Sequence, residues 1–205
     1  MRNIYKITPC IPSMISNRIK IGVGLVIILI GFSVYCTYAA AHAFDTETEP
    51  ETYSFPLVVE DNTLEVTMTN YVGGDPNKMI QYTIVNPGVR SVYILFKASE
   101  LETDNPSLVK ATASVGEALG AAIGRGDLNM TPDDVIPREI TWFRRVLIYS
   151  GIVGTESKPI IYFKTPNVGG TEDRIIVMKH IIILESSTYE NAIMLASYIR
   201  YLVMS

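Results

Sequence analysis

The chain has 205 residues, of which 48% are hydrophobic and 19% are charged, which excludes an intrinsically disordered protein. Acidic residues outnumber basic residues by 21 to 17, which argues against a nucleic-acid-binding protein that works through a basic surface. Two cysteines and two histidines offer little for a disulfide scaffold or a zinc site. We therefore predict no metal and no cofactor.

Residues 21–44 contain no formal charge and predict a single transmembrane helix. A helix of these 24 residues would be ~36 Å long, which exceeds the ~30 Å thickness of a bilayer's hydrocarbon core. Four basic residues and no acidic residue precede the segment, namely Arg2, Lys6, Arg18 and Lys20. By the positive-inside rule the N-terminus is cytoplasmic. The sequence thus predicts a single-pass membrane protein whose C-terminal domain lies on the side of the membrane opposite the cytoplasm.

The predicted organisation has four parts: a basic tail (1–20), the transmembrane helix (21–44), an acidic linker (45–52) and a domain outside the cytoplasm (53–205), here called the outer domain. The chain beyond residue 20 carries a net charge of −8, so the outer domain has no electrostatic attraction to anionic lipid. The outer domain contains no cysteine, and packing alone must stabilise it.

A cleaved secretory signal peptide is an alternative interpretation, because Ala41-His42-Ala43 follows the apolar run in an A-x-A pattern. Its basic region would be 20 residues long, and nine residues separate Val34, where the densest apolar run ends, from the proposed cleavage point after Ala43. We therefore favour a retained anchor. A signal-cleaved periplasmic binding module is kept as an alternative.

Small residues in the predicted membrane helix offer a surface for self-association. Gly24 and Gly31 are seven residues apart and share one helix face, and Ser33 lies nearby. Small residues let helices approach closely in lipid, so these three residues predict helix packing and a homo-oligomer. The plain alternative is that glycine is common in membrane helices.

The first half of the outer domain alternates between strand and helix patterns. Residues 53–59 and 64–69 predict two strands joined by a turn at 60–62. Residues 79–85 and 89–98 flank Asn86-Pro87-Gly88 and predict a hairpin. A helix is predicted after Asn105 and Pro106. Its apolar face would consist of Leu108, Ala111, Val115, Leu119 and Ala122.

Residues 137–148 fit either a helix or a strand, because Ile140, Phe143 and Leu147 share a helical face while the segment is rich in β-branched and aromatic residues. Residues 159–164 and 174–185 predict two further strands. Ser187 and Glu190 form a capping box that begins a final helix. Its apolar face would consist of Ala192, Leu195, Ile199 and Leu202.

The order of these elements predicts an α+β fold, with an antiparallel sheet of four to six strands and helices on one side. A PAS- or GAF-like domain is one arrangement of this kind. Fold alone does not specify function.

The outer domain offers little for catalysis. Its single histidine, His180, lies in an apolar stretch and is interpreted as structural, and the sequence contains no G-x-S-x-G motif. Trp142 is interpreted as a packing residue, and Arg144 and Arg145 as solvated surface, with binding of an anionic partner as their alternative role. We predict no catalytic residue and no enzymatic activity.

In element order and hydropathy the chain resembles the T-even phage holin family. The resemblance covers ETYS (51–54), QYTIVNPGVRSVYILFKASEL (81–101) and the C-terminal segment 160–203. It implies a lysis-timing protein that accumulates in the host inner membrane, self-assembles and forms lesions that release endolysin. It also implies a periplasmic antiholin as a partner, although a periplasmic disulfide cannot form here. An adaptor or structural subunit of a bacterial envelope complex is the alternative from another class.

Overall fold

The computed structural model describes residues 50–101, 106–149 and 153–205, all within the unit Ala40–Ser205. The basic tail, the predicted membrane helix with Gly24, Gly31 and Ser33, and most of the acidic linker lie outside these residues. Within the described ranges, no helix is both long and apolar enough to span a bilayer.

The described residues form an α+β fold around a seven-stranded sheet. In chain order the strands are β1 (Glu51–Val59), β2 (Asn62–Asn70), β3 (Val92–Phe96), β4 (Val135–Glu139), β5 (Ile160–Lys164), β6 (Arg174–Met178) and β7 (Ile181–Glu185). The order across the sheet is β1-β2-β6-β7-β5-β3-β4.

The sheet is mixed, which corrects the predicted antiparallel sheet of four to six strands. The pairs β1–β2 and β6–β7 are antiparallel, whereas β2–β6, β7–β5, β5–β3 and β3–β4 are parallel. Parallel pairing requires crossover connections, and helices provide several of them here. The PAS- or GAF-like arrangement depended on antiparallel pairing and does not describe this sheet.

The helices of the described part are α1 (Pro76–Ile84), α2 (Ala98–Leu101), α3 (Pro106–Arg125), α4 (Trp142–Tyr149) and α5 (Tyr189–Met204). Short 3-10 turns occupy Pro132–Asp134 and Pro166–Val168.

One face of the sheet is covered by α1, α3 and α5. The predicted apolar face of α3, from Leu108 to Ala122, is fully buried there, as are Leu195 and Ile199 of α5. Burial of each large apolar side chain stabilises the fold by roughly 1.5–3 kcal/mol. The helical spacing of these residues in the sequence therefore identified the main core correctly.

The opposite face is also covered, which corrects the expectation of helices on one side. Leu95, Ile160, Tyr162 and Ile183 are buried on that face, and Ile148 of α4 packs with them. The central strands are apolar on both faces, as is usual for parallel strands, so both faces need a covering layer. The helix α4 supplies part of this layer.

The predicted hairpin around Asn86-Pro87-Gly88 is wrong, because its first arm is the helix α1. The Asp75 carboxylate accepts a hydrogen bond of 2.9 Å from the Asn77 amide, and Pro76 stands in the first turn. A cap and a proline at this position favour a helix over the strand preference of the following residues. Asn86-Pro87-Gly88 therefore joins a helix to β3.

Residues 174–185 are also corrected, from one strand to the hairpin β6–β7. Met178 pairs with Ile181, which places Lys179 and His180 in a two-residue turn. Among the described residues other than glycine, only Glu60 has a positive φ. Lys179 and His180 therefore lack the positive φ that the Asn-Gly turns of many tight hairpins adopt.

Two smaller differences concern element boundaries. The ambiguous segment 137–148 is a strand up to Glu139 and a helix from Trp142. The N-cap of α5 is Thr188 instead of Ser187, because the Thr188 hydroxyl accepts a 3.1 Å hydrogen bond from the Asn191 amide. Ser187 instead donates its hydroxyl to Asp173 at 2.7 Å.

Both edge strands of the sheet contain a proline. Pro56 lies in β1 and Pro137 in β4. Proline has no amide hydrogen and is tolerated in sheets mainly at edges.

Replacing Gly120 of α3 with alanine is expected to stabilise the domain by about 0.8 kcal/mol and to raise its Tm by about 3 °C. A Cβ at Gly120 would meet no atom within 4 Å, so alanine gains helix propensity without a clash. Thermal circular dichroism of the full chain measures the shift. Gly126→Ala is the control, because the φ of +81° at Gly126 makes alanine unfavourable there. The same sign of Tm shift for both variants would contradict this interpretation.

Candidate interaction site

The helix α4 presents aromatic and aliphatic side chains to solvent. Trp142 is 74% exposed, and Phe143, Val146 and Tyr149 are between 37% and 47% exposed. Trp142, Val146 and Tyr149 recur at the spacing that places residues on one face of a helix. These four residues form the α4 stripe. Trp142 is thus a surface residue, which corrects its interpretation as a packing residue.

The two arginines of α4 lie on the inner side of the helix and are half-buried. The Arg145 guanidinium donates a hydrogen bond of 2.9 Å to the carbonyl oxygen of Val168. Arg144 lines a pocket between α4 and the sheet. The usual orientation of an amphipathic helix is therefore partly reversed, since the two arginines face the sheet and the Trp142 side chain faces water.

The pocket beside α4 has a volume of about 220 Å³ and mostly apolar walls. The walls consist of Tyr93, Leu95, Ile148, Val153 and Ile160. Three basic residues complete the lining together with Thr155 and Gly154, namely Arg138, Arg144 and Lys158. No acidic residue contributes to the lining that the structure describes.

The three cations of the pocket have few partners of their own. The Arg138 guanidinium lies 5.3 Å from the centre of the Tyr93 ring, which is the geometry of a cation–π contact. Among the described residues, no carboxylate lies within 4 Å of the charged group of Arg138, Arg144 or Lys158. The described lining therefore carries three positive charges and no negative charge, on a chain whose residues beyond residue 20 have a net charge of −8.

A buried carboxylate lies at the carboxyl ends of β5 and β7. Glu185 is fully buried and accepts hydrogen bonds of 2.7 Å from the Lys164 ammonium and 2.7 Å from the Arg174 guanidinium. The amide of Thr171 donates a third, at 3.2 Å. We call Lys164, Arg174 and Glu185 the ionic cluster. Its carboxylate is well satisfied, which is typical of a structural group.

Tyr149 joins α4 to the ionic cluster electrostatically. Burial raises the pKa of the Tyr149 hydroxyl above its usual value, and the charge of Lys164 partly opposes the shift. Burial also acts to raise the pKa of Glu185, but the hydrogen bonds from Lys164 and Arg174 outweigh it and hold the pKa of Glu185 below its usual value. Glu185 is therefore ionised at neutral pH.

His180 lies at the β6–β7 turn, half-buried, where its carbonyl accepts a 2.9 Å hydrogen bond from the Ile160 amide. Burial and the charge of Lys179 lower the pKa of its imidazole. Within residues 50–101, 106–149 and 153–205 there is no cluster of three or more His, Cys, Asp or Glu side chains that could hold a metal ion.

The sequence singled out Arg144 and Arg145 together, and the structure separates their roles. It did not indicate Tyr93, Arg138 and Lys158, which lie in three different segments of the chain. The sheet brings these three residues together through β3, β4 and the segment before β5. No local motif marks them, so a sequence pattern could not have found the pocket.

Searches against protein-family models, curated proteins and solved structures found no match to this chain.

Proposed function

We propose that the chain is a single-pass inner-membrane protein that acts by assembling with copies of itself, as a holin-like timer of host cell lysis. In this proposal residues 21–44 anchor the chain, Gly24, Gly31 and Ser33 pack membrane helices, and the periplasmic domain contributes a second contact between copies. An antiholin would delay lysis by binding to that domain.

The observation that carries the proposal is the α4 stripe. The stripe combines water-exposed aromatic and aliphatic side chains on a helix whose two arginines face the sheet. Exposed apolar surface of this kind is typical of an interaction surface. Aromatic residues, tryptophan above all, supply much of the binding energy in protein interfaces. Trp142 at the end of the stripe is therefore the expected anchor residue.

A weak contact repeated over many copies has the property that a timer needs. Lipid offers membrane helices no hydrophobic drive to associate, so small-residue packing and outer-domain contacts must supply the energy. Each contact is weak by itself, and assembly begins when the number of copies in the membrane passes a threshold. Lysis would then be sudden and would follow the rate of synthesis.

The variant Trp142→Gln/Val146→Gln is expected to delay lysis at least twofold when the full chain is induced together with a cytoplasmic endolysin. Replacing two apolar side chains of the α4 stripe with glutamine should weaken each contact between two copies by about 2 kcal/mol, which is roughly a 30-fold change in affinity. Culture turbidity measures the time of lysis, and chemical crosslinking in membranes measures assembly at the same expression level.

The matched control is Tyr201→Gln, which removes an aromatic side chain that is 66% exposed on α5. It should leave lysis and crosslinking unchanged. Slow growth inhibition without endolysin release by the parent chain would contradict the holin function. Unchanged crosslinking in the α4 variant would contradict the role of the stripe.

The same expression experiment separates the alternatives. Harmless expression with co-purification of other envelope proteins would favour an adaptor subunit of an envelope complex. Mass spectrometry of the mature chain addresses cleavage, because an N-terminus at Phe44 would favour a signal-cleaved periplasmic binding module.

A further inference from the structure

We propose that the pocket beside α4 binds a small organic carboxylate that carries an aromatic ring or a short acyl chain. The ligand's apolar part would lie against the walls formed by the sheet and Ile148, and its carboxylate would lie towards Arg144 and Lys158. This site is separate from the α4 stripe and does not depend on the proposed function.

The walls of the pocket determine the size of the ligand's apolar part. Leu95, Ile148 and Ile160 are buried core residues whose side chains also line the pocket. The volume of about 220 Å³ exceeds the ~150 Å³ at which an apolar protein cavity is known to hold benzene. One aromatic ring or a short acyl chain fits such a space, whereas a nucleotide or a long lipid chain does not.

The lining charge sets the sign of the polar part. Arg138, Arg144 and Lys158 contribute three positive charges, and the described lining contains no acid. A carboxylate accepts hydrogen bonds from arginine in two-pronged geometry and from lysine as a point charge. An uncharged ligand would offer these cations no negative charge, so charge complementarity favours an anion.

The cations of the pocket differ from neighbouring basic residues, whose charged groups hold structural partners. Arg145, the neighbour of Arg144, uses its guanidinium to hold the carbonyl of Val168, and the ionic cluster uses Lys164 and Arg174 to hold Glu185. Arg144 and Lys158 have no such role in the described residues. The Arg138 guanidinium is held over Tyr93, next to Leu95 in the sheet register, where it borders the apolar wall.

The test compares four probes by isothermal titration calorimetry on the purified full chain, with injections of each probe into the matching protein-free solution subtracted. 3-Phenylpropanoate has the ring and the carboxylate, 3-phenylpropanol lacks the charge, 3-phenylpropylammonium reverses it, and acetate lacks the ring. We expect saturable binding of 3-phenylpropanoate, at least tenfold weaker binding of the alcohol, and no measurable binding of the ammonium compound or acetate.

Two variants locate the site. Arg144→Gln/Lys158→Gln is expected to weaken 3-phenylpropanoate binding at least fivefold, and Val153→Phe to abolish it by filling the pocket. Lys110→Gln on α3 is the matched control, because Lys110 is exposed and does not line the pocket. Failure of the parent chain to bind 3-phenylpropanoate, equal affinity for the alcohol, or unchanged affinity in Val153→Phe would each overturn the proposal, whether or not the double variant folds.

Discussion

Replacing Gly170 with alanine is expected to lower the free energy of unfolding by about 3 kcal/mol. A Cβ at this position would lie 2.4 Å from the carbonyl oxygen of Lys164 and 2.5 Å from that of Ser186. Both atoms belong to the backbone at the carboxyl ends of β5 and β7, so no side-chain rotation can relieve the clash. Pulse proteolysis of the full chain in urea measures the loss as a midpoint shift of about 1.5 M.

The neighbouring glycine provides the control. Gly169 has a φ of +89°, but a Cβ there would meet no atom within 4 Å. Gly169→Ala should therefore lose only the ~1 kcal/mol of a left-handed backbone conformation. A larger loss of stability in Gly169→Ala than in Gly170→Ala would show that the carbonyls of Lys164 and Ser186 can move away from residue 170.

Replacing Glu185 with glutamine is expected to lower the free energy of unfolding by about 2 kcal/mol at pH 7. The glutamine keeps the shape of the side chain but removes the negative charge that Lys164 and Arg174 share. Both cations reach solvent in part, which makes the loss smaller than for a fully enclosed ion pair. The urea midpoint of the full chain is again the measurement.

The difference between the parent chain and Glu185→Gln should depend on pH. The pKa of Glu185 is lower in the folded protein than in the unfolded chain, where it is about 4.3. The stabilisation is therefore fully present above that unfolded value and is lost as the pH falls through the lower, folded value. The two urea midpoints should converge in acid.

Glu172→Gln is the matched control, because the Glu172 carboxylate also approaches Arg174, at 3.0 Å, but is 62% exposed. An exposed pair of this kind should contribute less than about 0.5 kcal/mol. If Glu172→Gln and Glu185→Gln lost equal stability, or if their difference persisted at low pH, the ionic cluster would not be the source of the effect.

The sequence predicted those parts of the fold that depend on local periodicity. The buried face of α3 and the strands β1, β2 and β5 follow directly from apolar spacing. The sequence does not reveal the helix α1, because Asn86-Pro87-Gly88 is a strong turn signal, while the cap formed by Asp75 is a single residue. The sequence does not indicate the β6–β7 turn either, because Lys179 and His180 are not typical turn residues.

Strand direction and the site depend on contacts between distant segments, which no local pattern encodes. The strands β3, β5 and β7 are parallel neighbours although helices and loops separate them in the sequence. Their pairing brings Tyr93 beside Ile160 and so forms one wall of the pocket. The exposed orientation of Trp142 likewise follows from how α4 lies on the sheet.

The prolines of the two outermost strands limit how copies of this domain can meet. With Pro56 at one border of the sheet and Pro137 at the other, a second molecule cannot extend the ladder without losing a backbone hydrogen bond. At high local concentration, the two prolines therefore disfavour fibre-like β-polymerisation of neighbouring copies and favour reversible contacts between side chains.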